Sequence, residues 1–512
     1  MDKINAKKQR FSFLPRSRNV WMFSLGTIGR DMAYGLFAGW LMNYIMYTKQ
    51  LSDAQFATIG IVFVVCRCYD AVIDPFLGGL IDNTRSRFGK FKPWIFAGMI
   101  FAAIDLVILF TTPLEGWTFV AFVAVAYVVF STTFSMNDIA YWGMMPALTS
   151  DPNERNQVVT ISSICAGLGG GILSLAAPTL TAGAFALGGN AVRAYSLLAM
   201  IIAVLFLGFQ TFTLAGVKEM RGGGQTEEKA EKVPLKTVVQ TVFKNDQLLW
   251  ACLVFMTQVV GSGVYYALLT MYIYLTYGYD GTMLTAAGML GILAFPFTFL
   301  LPEILKRVSR KKMMAIGVLL VGIGLGIFLL SSFLLPHTPY GLGFWLIAIG
   351  GLIMSIGSNG FYLMMIVGIA NTVEYYEWKT GERRESMIFS LRPFVAQFGS
   401  AITQLVQIVV FLALGLNAVN GKIASLEQDA NRGAIASDAK NVQIGEMLAE
   451  VPPGTSVALL ICMVLVCALV FLLGYWIYHK KYIIDEKKYD EIMAEIKQRK
   501  ETAAAEASSE KG

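Results

Sequence analysis

Apolar segments long enough to cross a membrane recur along the whole chain, and they constrain its fold more than any other feature. Hydrophobic residues make up 55% of the 512 residues and charged residues only 15%, a composition typical of polytopic membrane proteins. About twelve segments have the length that a membrane-spanning helix needs, so the sequence predicts an all-α membrane protein with twelve transmembrane helices. These segments lie at residues 20–47, 54–81, 93–112, 117–145, 157–181, 191–215, 247–277, 282–304, 313–335, 341–370, 387–416 and 456–478.

A polar stretch divides the predicted helices into two sets of six. It is charged and contains three consecutive glycines, as cytoplasmic linkers do. The loops after the second and eighth helices match in character, as do those after the fourth and tenth, which indicates a duplicated unit. The predicted divisions are a cytoplasmic N-terminal segment (1–19), a first six-helix bundle (20–217), the linker (218–246), a second six-helix bundle (247–479) that includes an external loop (417–455), and a cytoplasmic tail (480–512).

Basic residues are concentrated in the N-terminal segment and in alternate loops. Because Lys and Arg favour the cytoplasmic side of a membrane, both termini are predicted to be cytoplasmic. The long external loop carries charges of both signs and two adjacent prolines, and it is interpreted as a partly structured cap of unknown role. The basic residues are Lys3, Lys7, Lys8, Arg10, Arg16 and Arg18, then Arg85, Arg87, Lys90 and Lys92, then Lys306, Arg307, Arg310, Lys311 and Lys312.

The second predicted helix carries Arg67, Asp70 and Asp74 in its middle. Their spacings of three and four residues place all three on one helical face, which must look into a protein or water-filled interior. Two carboxylates on one face can bind a hard cation through oxygen or can share a proton. The alternative is a structural ion pair within the bundle. The cluster is therefore predicted to couple an ion to the protein's function.

A second set of charges lies on the first and fourth predicted helices. Arg30 and Asp31 interrupt the first, and Asp138 in the fourth is followed by Tyr141 and Trp142. An acid beside a tryptophan suits a sugar, because the carboxylate accepts hydrogen bonds from hydroxyls while the ring covers the apolar face of the sugar. Packing or an interfacial position remains the alternative for the tryptophan.

Other ionisable residues allow narrower interpretations. Asp105 in the third helix has no partner recognisable from the sequence, so structural and functional roles both remain open. The two histidines, His337 and His479, lie at helix ends, so any proton relay has to use carboxylates.

The loop after the second helix contains Asp82 among Arg85, Arg87 and Lys90. One interpretation is that these cations are a topology signal and nothing more. Ion pairs that break and re-form between two packings would instead make a cytoplasmic latch or gate, which is the favoured hypothesis.

Several classes of function are disfavoured by the sequence. The chain shows no nucleic-acid-binding module, and its basic residues lie between apolar segments, where they set topology. The six cysteines lie within apolar segments without zinc or redox spacing. No histidine or cysteine cluster and no pair of nucleophile and base suggests an intramembrane enzyme. We expect no cofactor beyond a coupling ion, and a protein that works as a monomer.

The motifs around these residues resemble those of the glycoside-pentoside-hexuronide:cation symporter family. The resemblance is carried by Asp70-Ala-Val-Ile-Asp74-Pro75 with the basic loop up to Trp94, by residues 137–149, by residues 151–155 and 374–386, and by the tail from Tyr489. It spans nearly the whole chain except the external loop and the last dozen residues. It implies a major facilitator fold, in which two six-helix bundles alternate access to a central site.

The resemblance also implies roles for individual residues. Asp70 and Asp74 would be the cation-site acids, with Ser135 at a position that often supplies a hydroxyl ligand. Asp31 and Asp138 would be the sugar-binding acids, with Trp142 as their aromatic neighbour. The residues predicted to contact substrate are Asp31, Asp138, Trp142, Tyr141 and Arg392.

Three departures from the family pattern bear on the substrate and the ion. Sodium-using members often have Asn where this chain has Ile73, which offers no oxygen to a metal, so a proton is favoured over sodium. Asp70 and Asp74 would form a metal site only if the ion were sodium. A basic residue of the fifth helix is replaced by Ser163 and an eleventh-helix lysine by Gln397, so Arg67 or Arg392 would balance the acids.

The predicted protein is a cation-coupled symporter of a glycoside or short oligosaccharide in the plasma membrane. One alternative is a symporter of an anionic or amphiphilic solute, with Arg30 and Arg392 as anion partners. The other is a membrane sensor that binds a solute without moving it.

Overall fold

The structure is a computed structural model that describes residues 17–149, 151–217, 245–294 and 308–509. Within these ranges it contains no β-strand. The predicted N-terminal segment up to residue 16, most of the predicted linker (218–244) and the second part of the eighth predicted helix (295–307) lie outside the described residues.

The described residues of the first half form seven α-helices. The first predicted span is interrupted by a five-residue π-helix, Leu36–Trp40. Asparagine and serine caps start two of the helices, with Ser52 and Gln55 forming a capping box at one and Asn190 accepting from the backbone at the other. The helices are α1 (Arg18–Gly35), α2 (Leu41–Thr48), α3 (Asp53–Asp82), α4 (Lys92–Thr111), α5 (Gly116–Met144), α6 (Pro152–Thr181) and α7 (Ala191–Gly216).

The second half adds nine described α-helices. They are α8 (Asp246–Tyr277), α9 (Gly281–Ile292), α10 (Arg310–Leu334), α11 (Leu342–Thr380), α12 (Glu385–Ala413), α13 (Leu416–Arg432), α14 (Ser437–Ala449), α15 (Pro453–Lys481) and α16 (Glu486–Ser509). Across the described parts of both halves, 10 helices are long and apolar enough to cross a membrane. The first and eighth predicted spans are not among them, because one is split by the π-helix and the other is described only as far as Ala294.

The helices pair in the same pattern in both halves. In the first half α1 packs on α6 and α7, α3 and α4 both pack on α5, and α4 also packs on α7. In the second half α8 packs on α12 and α15, α9 and α10 both pack on α11, and α10 also packs on α15. This repetition supports the duplication that the matched loops indicated. The halves meet where α3 packs on α12 and α6 packs on α9.

Glycines allow the closest of these helix contacts. A Cβ atom on Gly169 of α6 would collide with the carbonyl of Ile28 on α1. In the second half, a Cβ on Gly324 of α10 would collide with the carbonyl of Gly350 on α11. Close approach of this kind lets helices gain dispersion contacts where lipid gives little hydrophobic driving force.

The predicted external loop, 417–455, forms a helical hairpin of α13 and α14, which we call the cap. Lys440 and Glu427, both fully buried, form an ion pair of 3.0 Å that joins the two cap helices. Glu427 also accepts a hydrogen bond from the backbone N–H of Ala191 at the start of α7 (2.6 Å), and Lys440 donates to the carbonyl of Gly189 (3.2 Å). The cap therefore belongs to the second half in sequence but docks on the first.

We call the end of the molecule that carries the cap the cap face, and the end that carries α16 and the loop 83–91 the tail face. At the cap face the halves are joined by hydrogen bonds between side chains. The joined pairs are Gln50–Gln428 (3.0 Å), Thr179–Thr285 (2.7 Å), Arg193–Asn431 (3.1 Å) and Asp53–Asn417 (2.7 Å).

The tail helix α16 is held against the second half at the tail face. Lys500 pairs with Glu377 (2.6 Å), and the Trp378 indole donates to Glu495 (2.6 Å). Where the tail leaves α15, the backbone N–H of Lys488 and the ammonium of Lys311 hold the pKa of Asp485 below its ordinary value. Residues 482–500 are thus part of the fold.

Candidate functional site

Arg30 of α1 lies between the two carboxylates that were predicted to bind sugar. Its Nη2 is 3.0 Å from Asp31 Oδ2, and its Nη1 is 2.9 Å from Asp138 Oδ1 on α5. The arginine is only 4% exposed, whereas the Asp138 side chain is 40% exposed. The two carboxylates are therefore more exposed than the buried guanidinium that pairs with both of them. The cluster carries one more negative than positive charge when both acids are ionised.

Aromatic side chains pack against the buried arginine of this cluster. The Arg30 guanidinium lies 4.9 Å from the ring centre of Tyr141 and 5.0 Å from that of Trp142, an attractive cation–π arrangement. Phe23 stacks on Tyr141 at 4.2 Å and meets Trp142 edge-on at 6.2 Å.

Tyr141 does not fit its predicted contact with substrate. It is fully buried, and its hydroxyl donates to the backbone carbonyl of Phe23. Its role in the structure is to position Arg30. Trp142 is partly exposed and stays a candidate for substrate contact.

The second acid cluster joins α3 to α5. Arg67 Nη1 lies 3.3 Å from Asp70 Oδ2, and both side chains are buried. The hydroxyl of Ser131 donates to the other oxygen of Asp70. Asp74 Oδ1 is buried and has no hydrogen-bond partner among the described groups, and Ser135 lies beside this carboxylate.

Ser131 was missed by the sequence reasoning, which singled out Ser135 alone. Both serines lie on α5 four residues apart, the same spacing as Asp70 and Asp74 on α3. Matching i,i+4 pairs on two packed helices place one hydroxyl opposite each carboxylate. That shared spacing is the signal that identifies Ser131.

The oxygen atoms of this second cluster are the candidate ligands of a coupling ion. Among the described residues, no group of three or more His, Cys, Asp or Glu side chains could hold a metal. Hydroxyl and carboxylate oxygens of Asp70, Asp74, Ser131 and Ser135 suit either a proton or a hard cation. The choice between the two ions stays a prediction.

Arg392 of α12 contacts an aromatic residue of the second half. It is exposed, donates a hydrogen bond to the hydroxyl of Tyr362 on α11 and lies 5.8 Å from that ring. Arg67 is the arginine that pairs with an acid of the cation cluster. Arg392 remains a candidate for substrate contact from the second half.

The loop at the tail face contains one ion pair of the predicted latch. Lys90 lies 3.0 Å from Asp82, with both side chains partly exposed. Arg87 lies over Phe88 at 4.7 Å. A latch needs a second packing in which such pairs rearrange, so the role of Asp82, Arg85, Arg87 and Lys90 stays a prediction.

A cavity of about 590 Å³ lies between the halves, on the cap-face side of the acid clusters. None of its described lining residues is charged. Sequence reasoning missed this cavity because it followed charge. Two glutamines three residues apart in the eleventh predicted helix were the available signal. Its most prominent polar and aromatic residues are Trp40, Asn43, Tyr266, Ser355, Gln404 and Gln407.

The chain is a helical membrane protein with two equivalent halves, a cavity between them, and hydrogen bonds that join the halves at the cap face. These features define the class of alternating-access transporters. The sequence profile of the MFS/sugar transport protein family matches residues 22–486, and the chain belongs to this family.

Curated relatives agree with this assignment. The chain is 26% identical over 490 residues to the raffinose carrier protein of Pediococcus pentosaceus, covering 93% of this chain and 70% of the carrier. It is 26% identical to the lactose permease of Lactobacillus helveticus, covering 77% of this chain and 62% of the permease. It is 28% identical to the isoprimeverose transporter of Lactiplantibacillus pentosus, covering 74% of this chain and 77% of the transporter.

Solved structures confirm the fold. A bacterial homolog of the human lysosomal transporter Spinster, in an inward-facing and unoccupied conformation, superposes with a TM-score of 0.58 at 12% identity, covering 90% of this chain and 96% of that one. The nucleoside transporter NupG gives a TM-score of 0.55 at 14% identity, covering 89% and 99%.

The resemblance to the glycoside-pentoside-hexuronide:cation symporters and the all-α membrane fold are thus confirmed, while the count of twelve helices is not. The chain is a multi-pass membrane transporter of this family and not an enzyme.

Proposed function

We propose that this protein is a cation-coupled symporter that moves a glycoside or short oligosaccharide by alternating access. The observation that carries the proposal is the pair of acid clusters in the first half, each built from two carboxylates and one buried arginine. The acids of the Arg30 cluster are partly exposed and suit a solute, whereas Arg67 and Asp70 of the other cluster are buried and suit an ion. Both lie on helices that pack within one half, so one rigid unit can link the two binding events.

The solute cluster favours a neutral, hydroxyl-rich substrate. Asp31 and Asp138 accept hydrogen bonds, and Trp142 offers a ring to the apolar face of a sugar. An anionic solute would meet two carboxylates against a single cation, Arg30, which argues against that alternative. The names of the relatives, which refer to raffinose, lactose and isoprimeverose, support a sugar.

The enclosed cluster favours a proton as the coupling ion. Leaving Asp74 Oδ1 buried without a partner is costly for an ionised carboxylate, and binding a cation removes that cost. Ile73, the residue before Asp74, adds no oxygen, so the site is better suited to a proton than to sodium. Sodium held by Asp70, Asp74 and the neighbouring hydroxyls is the second candidate.

The cycle follows from which face carries the contacts between halves. We place the tail face in the cytoplasm of a cell with the protein in its plasma membrane, because the basic loops lie at that face. Breaking the cap-face contacts and closing the tail face, where Asp82 pairs with Lys90, would expose the site to the outside. The protein would complete this cycle as a monomer.

Reconstitution into sealed vesicles tests the proposal. Uptake of radiolabelled raffinose, lactose and isoprimeverose is measured with an imposed proton gradient, with a sodium gradient and with both collapsed. We expect accumulation above the external concentration only with the proton gradient. Accumulation with sodium alone would overturn the proton, and binding without flux would establish a sensor in place of a symporter.

A further inference from the structure

The uncharged cavity lies along the same predicted membrane span as Asp31 but well beyond it. Trp40 and Asn43 line it from the first half, and Asp31 precedes Trp40 by nine residues. At the rise of an α-helix this separation is about 13 Å along the helix axis. A single pyranose ring held by Asp31 and Asp138 does not extend that far.

A π-helix separates the two regions of this span. It covers Leu36–Trp40, between Asp31 and Asn43. One extra residue per turn rotates all the side chains that follow, and π-helices are frequent at functional sites for this reason. Here the irregular turn orients Trp40 and Asn43 toward the cavity while α1 keeps its packing on α6 and α7.

The chemistry of the cavity is that of a sugar-binding surface without charge. Tyr266 is 53% exposed, and its hydroxyl lies 2.8 Å from that of Ser355. Gln404 contributes to the lining, and its buried Oε1 accepts no hydrogen bond from the described residues. Buried polar atoms in proteins nearly always have a partner, so this amide has unused bonding capacity. The volume lies within the range of small-molecule binding sites.

We propose that this cavity is a second sugar subsite, which binds the glycosyl unit farthest from Asp31 and Asp138. The inference rests on the proposed function, in which those acids hold the first unit. Trp40 and Tyr266 supply ring faces, and the amides of Asn43 and Gln404 bind hydroxyls. The protein therefore selects oligosaccharides over the monosaccharide glycosides from which they are built.

Binding measurements on the purified full-length protein test this selection. The probes are raffinose, lactose and isoprimeverose, each compared with the methyl glycoside of its terminal sugar. The variants are Gln404→Leu and Asn43→Ser, and the control is Gln443→Leu on the exposed face of α14. Losing one hydrogen bond should weaken oligosaccharide binding about 10-fold in each subsite variant and affect the methyl glycoside much less.

Three outcomes decide the matter. Wild type that prefers the oligosaccharide and variants that lose this preference, with Gln443→Leu unchanged, support the subsite. Wild type without a preference, or variants that weaken both probes in parallel, overturn it while leaving the proposed function intact. Wild type that binds none of the sugars overturns the proposed function.

Discussion

The two halves of the molecule share one arrangement of helices and differ in the chemistry that the arrangement holds. In the first half α1 and α5 are joined by the ion pair between Arg30 and Asp138 (2.9 Å). In the second half the equivalent helices, α8 and α11, are joined by a hydrogen bond from Gln258 to Ser358 (3.1 Å). A neutral pair needs less desolvation than an ion pair, so packing alone does not require the charges.

This difference in charge indicates which half holds the functional groups. Burying the Arg30 guanidinium to hold two carboxylates is costly, and packing does not require it, which favours a binding role for these acids. Both acid clusters lie in the first half, while the cavity lining from the second half is uncharged. We infer that the first half recognises the ion and the first sugar, and that the second half supplies a neutral surface that completes the site.

The largest expected effect comes from removing charge in the cation cluster. Asp74→Asn or Asp70→Asn should abolish uphill accumulation and leave some sugar exchange, because the ion can no longer be bound while the sugar site is intact. Radiolabelled uptake and counterflow in vesicles measure the two activities. The matched change in the second half, Ser358→Ala, should slow transport without uncoupling it. Full accumulation in both aspartate variants would refute the assignment.

The next largest difference is expected in how much stability each half loses when its contact between equivalent helices is broken. Arg30→Gln leaves two acids around an uncharged side chain and should lower the free energy of unfolding by more than Gln258→Leu does. The loss should stay below the roughly 3–5 kcal/mol of a fully buried ion pair, because Asp31 and Asp138 are partly exposed. Gln258→Leu removes a neutral bond and should cost about 1–3 kcal/mol. Thermal unfolding in detergent compares them. Equal losses would show that the first half is no more dependent on charge than the second.

The cap allows a third comparison, because its residues form hydrogen bonds that join the second half to the first. Gln428 donates to the carbonyl of Thr48 (2.9 Å) and accepts from Gln50 (3.0 Å). Gln428→Ala should shift the protein toward the state open at the cap face by about 1 kcal/mol per lost bond. Labelling of a cysteine introduced at Asn43, by an impermeant reagent from the cap side, measures the shift, with Gln443→Ala as control. Unchanged labelling would exclude the cap as part of the closure.

The smallest effect is expected at the tail face. Asp82→Asn breaks an exposed ion pair that contributes at most about 1 kcal/mol to stability. If the pair is a latch, the variant should alter the rate of exchange more than the unfolding temperature. Transport rates and labelling identical to wild type would leave the basic loop as a topology signal only.

Apolar length and charge were enough to predict ten of the spans and to single out the acids of both clusters. The i,i+3 and i,i+4 spacings placed Arg67, Asp70 and Asp74 on one face, and the structure brings Arg67 and Asp70 into contact. The pairing of Arg30 with Asp138 needed the fold, because the two residues lie more than 100 positions apart in the chain. The cavity could not be predicted, since neutral residues such as Gln404 resemble packing in a sequence.

The burial of Tyr141 was not predictable either. Its place in the motif beside Trp142 suggested a ligand contact, but adjacent residues on a helix face different directions. Trp142 is partly exposed, whereas Tyr141 is fully buried and stacks on Phe23. The external loop was interpreted only as a partly structured cap, although the apolar residues of α13 recur at helical spacing along one buried face.

The central claim, that the first half couples a proton to sugar movement, is tested most directly by measuring protons when sugar is added. Lightly buffered vesicles containing the protein are exposed to lactose or raffinose, and the external pH is recorded. We predict alkalinisation with wild type and with Gln258→Leu, and none with Asp74→Asn although that variant still exchanges sugar. Alkalinisation that persists in Asp74→Asn, or that is lost only in the second-half variant, would contradict the account.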